Sequence, residues 1–442
     1  MTRRTYESWG RYPKADHQVY VLGARCEKLP AAELSDKSLL PFGNGRSYGD
    51  VCLNDGGVLI DCRGLNRIIS FDEQRGVLRC EAGVLLSEIL REVVAKGWFL
   101  PVTPGTQFVT VGGAIANDVH GKNHHNSGTF GCHLTCFELL RSDGTRLVCS
   151  AAENPDFFGA TIGGLGLTGV ITWAEFNLKK IPSPCIMQEV VRFGSLDEFF
   201  GLSAASDRSF EYTVAWIDCL AKGPSLGRGL FMRGNHAGPA ECPRQAGPRL
   251  QFTFPFDPPF TLVNNFSLRL FNSLYYRKQL RKRSRAAIHY APFFYPLDTI
   301  RSWNRMYGSR GFLQYQCVVP FDNGHEAIKE ILEKIASAGS GSFLAVLKAF
   351  GDITSPGLLS FPRPGVTLAL DFPHRGQPTL DLLDRLDLIT GEACGAVYPA
   401  KDARMSAASY RKYYPRWPDM AKFIDPRFSS SFWRRVTNPA ET

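Results

Sequence analysis

Pro104–Gly128, PGTQFVTVGGAIANDVHGKNHHNSG, packs five glycines and three histidines around an apolar set of Val109, Val111, Ala114, Ile115 and Ala116. Glycine at that density weakens helix or strand, so it marks backbone that approaches something closely or takes positive φ. The run predicts an irregular loop, with N–H groups of Thr106 to Gly113 turned toward a phosphate as an anion-binding nest. His120 follows on the same short path. A large anionic cofactor is the expectation against which the rest of the chain is read.

Upstream lies a second glycine-rich loop, LPFGNGRSYGD (40–50), carrying Arg46, Ser47 and Tyr48. Strand-like runs follow at 57–62, 67–72 and 76–83, separated by turn residues. LLSEILREVVAKG (85–97) has helical spacing and ends on Lys and Gly. Downstream, CFELLRSDGTRLVCS (136–150) predicts a hairpin turning at Asp143-Gly144. Gly164–Gly169 fits GxGxxG, but a helix-like run precedes it and a strand-like VITWAEFNL follows. A dinucleotide fingerprint needs the reverse order, so a nicotinamide fold is not expected.

From about 182 a second α+β segment begins. GPSLGRGLFMRGNHAGPAECPRQAGPRL (223–250) reads as a long Gly/Pro/Arg-rich loop, and YYRKQLRKRSR (275–285) as a basic run. The basic run is either an ordinary solvated face or a surface for anionic lipid or phosphate. GFLQYQCVVP (311–320) alternates as a strand with Gln314 and Gln316 on one face. A helix at 324–339, strands at 343–351 and 365–373 and a helix at 380–394 complete two strand–helix–strand units of one antiparallel sheet.

At 442 residues the chain exceeds one core, and two or three domains are expected. With 51 Lys and Arg against 42 Asp and Glu, the +9 charge favours anionic ligands without implying nucleic acid. Twelve scattered cysteines without a CxxC pair, and a polar start without an apolar signal core, predict reduced thiols in the cytoplasm. No apolar run approaches the ~20 residues of a membrane span. His120, His124, His125 and His133 invite a zinc reading, but the HExxH glutamate is missing and no metal is expected.

GNGRSYGD, PGTQFVTVGGAIANDVHGKNHH, GGLGLTGVI, GFLQYQ, VYPAKDAR and the terminal DPRF, in that order, resemble the vanillyl-alcohol-oxidase type of FAD-linked oxidases. Within that superfamily they are most similar to the branch that oxidises decaprenylphosphoryl-ribose. The resemblance implies an α+β, two-domain fold: a PCMH-type FAD-binding part (1–183), an inserted antiparallel-sheet substrate domain (184–395), and a C-terminal segment (396–442) returning to the first part. It implies non-covalent FAD, because Arg46 stands where flavin-linking relatives have histidine.

By matched motif positions, the cofactor-binding set is Gly43, Asn44, Gly45, Arg46, Ser47, Tyr48, Gly49, Gly105, Thr106, Thr110, Val111, Gly112, Gly113, Ala116, His120, Gly121, Asn123, Ile171 and Tyr398. Lys122, Trp216, Gln314, Gln316, Lys348 and Lys401 would line the substrate pocket, although Trp216 also suits plain core packing and Gln316 an edge strand. Lys401, Tyr48 and His120 are the candidate catalytic residues, Lys401 as base or as fixed cation beside the flavin. Ala369 departs from the family, whose mycobacterial members carry cysteine there.

The implied reaction oxidises the 2-hydroxyl of a polyprenyl-phosphate-linked pentose to a ketone. A separate short-chain NAD(P)H-dependent reductase completes the epimerisation, with the oxidase in the cytoplasm or peripherally on its membrane. Oxidation of a free sugar, alditol or aldonolactone is the alternative.

Overall fold

In a computed structural model, residues 6–29, 36–243, 252–258 and 261–437 are described. Their N-terminal portion holds a three-stranded parallel sheet centred on Val58–Asp61, between Gln18–Val21 and Leu39–Phe42. Beside it is a five-stranded antiparallel sheet in the order Ile68–Asp72, Val77–Glu81, Val170–Asn177, Leu134–Leu140, Arg146–Ser150. The hairpin turns as expected: Gly144 has φ +87° and the Asp143 carboxylate accepts from Thr145 N at 2.8 Å. The helix Leu86–Val93 buries Leu86, Ile89, Leu90 and Val93 along one face, while Glu88 accepts from Leu85 N at 2.8 Å.

The second portion is an eight-stranded antiparallel sheet. Its order is Arg283–His289, Cys185–Phe193, Gly229–His236, Tyr212–Ile217, Ala345–Phe350, Gly365–Pro373, Phe312–Val319, Ala396–Val397. Alternation gives it two distinct faces. Leu313, Tyr315, Cys317, Leu347, Leu368 and Leu370 share a core with the helices Phe321–Ala338 and Gln377–Glu392, and Tyr315 Oη lies 2.9 Å from Thr390 Oγ1. The opposite face carries Gln314 across from Asp371, Gln316 across from Ala369, and Val346 and Lys348 across from Ala369 and Thr367. This second face looks back at the N-terminal loops.

Three expectations change. The 223–250 run contains the strand Gly229–His236, paired on both sides; residues 244–250 lie outside the described residues. Its Gly and Arg residues hid the alternation. A Cβ at Gly234 would lie 2.8 Å from Ile186 and from Met187 O, and Arg233 is matched by Glu189 on the neighbouring strand. Second, Val111–Ala116 is a short helix, capped by the Thr110 hydroxyl accepting from Gly113 N at 3.1 Å. Glycine is used there for close packing, since a Cβ at Gly112 would meet the Ala82 methyl at 3.1 Å. Third, Cys185 and Cys242 form a disulfide, while ten cysteines stay free.

The C-terminal segment closes onto the first portion. Arg435 bridges Asp50 and Asp402, Asp425 accepts from Ser142, and Leu39 exchanges backbone bonds with Arg427 and Ser429.

Candidate active site

The first loop supplies free peptide donors. Among the described residues, the N–H groups of Gly43, Asn44, Gly45, Arg46 and Ser47 make no backbone hydrogen bond, and Gly45 adopts φ +59°. The loop is pinned from behind: Asn44 donates to Phe108 O at 2.7 Å, Trp9 N to Ser47 O at 2.7 Å, and Tyr48 N to Ala400 O at 2.9 Å. Gly43 backs onto Thr110, and a Cβ at Gly49 would fall 1.7 Å from Asp402 O. A half-exposed run of bare N–H groups is an anion cradle.

The expected nest at Thr106–Gly113 is largely occupied by the protein itself. Gln107 N donates to Asp298 at 2.9 Å and Phe108 N to Thr106 Oγ1 at 3.3 Å. Val111 N and Gly112 N reach Val84 O and Ala82 O, and Gly113 N the Thr110 cap. The polar donors therefore lie mainly in the first loop. Gly105 is exposed, with open space where a Cβ would stand.

Opposite, on the free face of the large sheet, charged and polar side chains converge. The Lys401 ammonium lies 3.9 Å from the centre of the Tyr48 ring. Gln314 donates to Asp371 Oδ1, and Asp371 Oδ2 is buried without a partner. Gln316 Nε2 donates to His120 Nε2 at 2.9 Å, leaving neutral His120 with its proton on Nδ1, another buried atom without a partner. Lys348 reaches Gly121 O at 3.3 Å, and Lys122 the carbonyls of Phe293 and Phe294. Tyr398 donates to Asn117 O at 2.6 Å and stacks on Phe361.

Protein crowding sets the charges here. Burial lowers Lys401, Lys348 and Lys122 each to about 7; Asp371 opposes this at Lys401, and the neighbouring lysines reinforce it at Lys348. Burial also pushes Asp371 up to about 7. His120 is held well below the usual imidazole range by burial and by the charges of Lys348, His124 and Lys401. Tyr48 is raised well above the usual phenol value, by burial first and by Asp371 second, so it stays a protonated donor.

Not every anticipated residue points into this cleft. The Trp216 indole is covered by Tyr275 at 4.6 Å and donates to Phe343 O at 2.8 Å. The Asn123 amide is spent on Pro101 O and Ser127 Oγ. Ile171 sits buried in the five-stranded sheet, and Ala116 O accepts from Leu165 N. The histidines diverge: His124 packs on Phe350, His125 faces Phe210 O, and His133 faces Ser127 O. Asp371, Asp298 and Asn117 were not anticipated. Asn117 Oδ1 and Arg46 Nε join His120 Nδ1 as buried atoms lacking a protein partner. A ring with edge acceptors and donors joined to a pyrophosphate fits both the orphaned atoms and the bare first-loop amides. The donor set suits FAD.

Comparison with known proteins agrees. The FAD binding domain family matches residues 29–150. Decaprenylphosphoryl-β-D-ribose oxidase of Mycolicibacterium smegmatis is 38% identical over 92% of this chain and 90% of its own length. An uncharacterized protein of Streptomyces coelicolor is 33% identical over 80% of this chain and all of its own. L-gulonolactone oxidase of Mus musculus is 28% identical over 42% of this chain and 43% of its own length.

Proposed function

This chain belongs to the family of FAD-linked oxidases that contains decaprenylphosphoryl-β-D-ribose oxidase, it is an FAD-dependent oxidoreductase, and we propose that it oxidises the 2-hydroxyl of a polyprenyl-phosphate-linked pentose to a ketone. In this reading residues 1–183 and 396–442 form the flavin-binding part and 184–395 the substrate part. Bound FAD supplies the acceptor for the hydride leaving the carbinol carbon.

Gly43–Ser47 would hold the pyrophosphate, and Asn117, His120 and Tyr398 would border the ring. Lys401, with a pKa brought to about 7, accepts the hydroxyl proton as the C–H bond breaks, converting amine to ammonium. Asp371 beside it stabilises the ammonium so formed. The protonated Tyr48 phenol orients the pair. His120, neutral and bonded to Gln316, holds its Nδ1 proton toward the ring or the substrate. The ketone then passes to a separate NAD(P)H-dependent reductase.

The observation carrying the substrate class is the cluster of Lys122, Lys348 and Lys401. None of the three makes a carboxylate hydrogen bond within the described residues; Lys122 and Lys348 meet backbone carbonyls and phenyl rings, and Lys401 the Tyr48 ring. Lys122 and Lys348, with no acid beside them among the described residues, call when protonated for an anion such as a sugar phosphate, with Lys401 and Asp371 next to them.

The test is anaerobic bleaching of the flavin's visible absorbance by a short-chain prenylphosphoryl-β-D-ribose. Rapid bleaching supports the reading. Bleaching by a free aldonolactone or alditol alone would replace it with the alternative.

A further inference from the structure

The helix Asn265–Arg277 is docked on one side and bare on the other. Its inner face buries Leu268 and Asn272, and Asn272 Nδ2 donates to Asp218 Oδ1 at 3.0 Å. Tyr276 Oη donates to Phe193 O at 3.2 Å, while the Tyr275 ring covers Trp216. The outer face presents Phe266, Leu270 and Leu274 at four-residue spacing, 78%, 50% and 62% exposed. Leu262 before the helix and Leu280 after it are exposed as well. A contiguous row of this kind exceeds the isolated apolar residues normal on a protein surface.

The charge around the row has one sign. From Thr261 to Leu297 the sequence contains no Asp or Glu. Arg269, Arg277, Lys278, Arg281 and Arg285 are exposed and make no ion pair among the described residues. Lys282 and Arg283 do find acids, at Glu198 and Glu189. Among the described residues, the strand Arg283–His289 that follows is an edge of the large sheet, paired on one side only.

We propose that this face, Leu262 to Arg285, is a docking surface for an anionic lipid bilayer, the apolar row entering the headgroup boundary and the arginines meeting lipid phosphates. Aliphatic and phenyl side chains flanked by cations are the pattern of an interfacial helix at an anionic surface. Placement gives the surface a purpose, and this part rests on the lipid-borne substrate proposed above. Beneath the helix, Trp216 lies opposite Val346, the neighbour of Lys348 along the same cleft face. A prenyl chain leaving a phosphate near Lys348 would emerge beside the row.

The full FAD-loaded chain is sedimented with vesicles of phosphatidylcholine, with and without phosphatidylglycerol. Binding only to the anionic vesicles, weakened by salt, is expected. It should fall by about tenfold or more in Leu270→Glu/Leu274→Glu, and similarly in Arg277→Glu/Arg281→Glu. Leu388→Glu, at another exposed leucine, should leave it unchanged.

Undiminished binding by both double variants, or no binding by the wild type, would overturn the proposal. So would a wild-type dimer in light scattering that becomes monomeric in Leu270→Glu/Leu274→Glu without any vesicle binding, since the row would then be a self-association face. Flavin reduction by detergent-dispersed substrate is measured on the same samples. Its loss in the wild type would strike the substrate reading, and the vesicle result would still stand for the surface.

Discussion

On one side of the cleft, Gly43 to Ser47 offer bare peptide N–H groups, and nearby glycines let backbones touch where a methyl group would collide. On the other, Gln314, Gln316, Lys348 and Asp371 stand at alternate positions of neighbouring strands and act through their side chains. A wall of backbone tolerates almost no added atom, and its chemistry survives most changes elsewhere. A wall of side chains is the reverse: each group can be exchanged without unfolding the sheet, and each exchange changes the chemistry.

The largest effect should follow from adding one carbon to the backbone wall. In Gly49→Ala the new Cβ meets Asp402 O, a backbone atom that no rotamer change can move. The first loop and the Lys401 loop must separate, and with them the bond from Tyr48 N to Ala400 O. Flavin absorbance per protein after desalting should drop to near zero. Full retention would show that the two loops are not locked together.

Lys401→Met makes the opposite cut. The backbone wall is intact, so FAD should stay bound, while the rate of flavin reduction by substrate falls by about 10²–10⁴-fold, the range lost with a general base. An unchanged rate removes Lys401 from the chemistry and leaves it a pocket-lining cation.

Asp371→Asn tests coupling within the side-chain wall. The carboxylate raises the Lys401 pKa, opposing burial. Without its charge Lys401 gives up its proton more readily, so the acid limb of kcat/KM moves to lower pH. A shift of about one unit is expected from one neighbouring charge. The hydrogen bond to Gln314 is kept by the amide oxygen, so a purely structural role would lower the rate at every pH without moving the limb.

The two walls also differ in how far the sequence discloses them. Glycine-rich loops, the Asp143-Gly144 turn and the helix from Leu86 are local signals, legible within a dozen residues. Lys401, Tyr48, His120 and Gln316 were assigned to one pocket through motif resemblance rather than periodicity, and their pairwise contacts were not foreseen. Asp371 and Asp298 carried no local signal: their partners, Gln314 and the Gln107 amide, lie 57 and 191 residues away. The strand Gly229–His236 was missed for the same reason, because its Arg233 is tolerated only when Glu189 pairs beside it. The amides of Thr106 to Gly113 were assigned to a ligand because sequence cannot reveal that those of Gln107, Val111 and Gly112 already donate to Asp298, Val84 and Ala82.

The smallest effect, and the sharpest test of register, comes from Ala369→Cys. Ala369 pairs with Gln316 on one side and Val346 on the other, half-buried on the cleft face. One sulfur in place of a hydrogen fits a surface that borders open space, so flavin reduction should stay within about twofold of wild type, as for changes that neither overpack nor leave a void. The new thiol should react with a thiol-specific chromophore, and substrate analogue should protect it. The wild-type thiols buried in the cores, Cys317 among them, should stay silent on that timescale because burial raises them, that of Cys317 to about 12. Protection at 369 with unchanged turnover would place the reacting sugar against this strand. A thiol that labels equally with and without analogue would mean that the side-chain wall begins farther along the sheet, nearer Lys348.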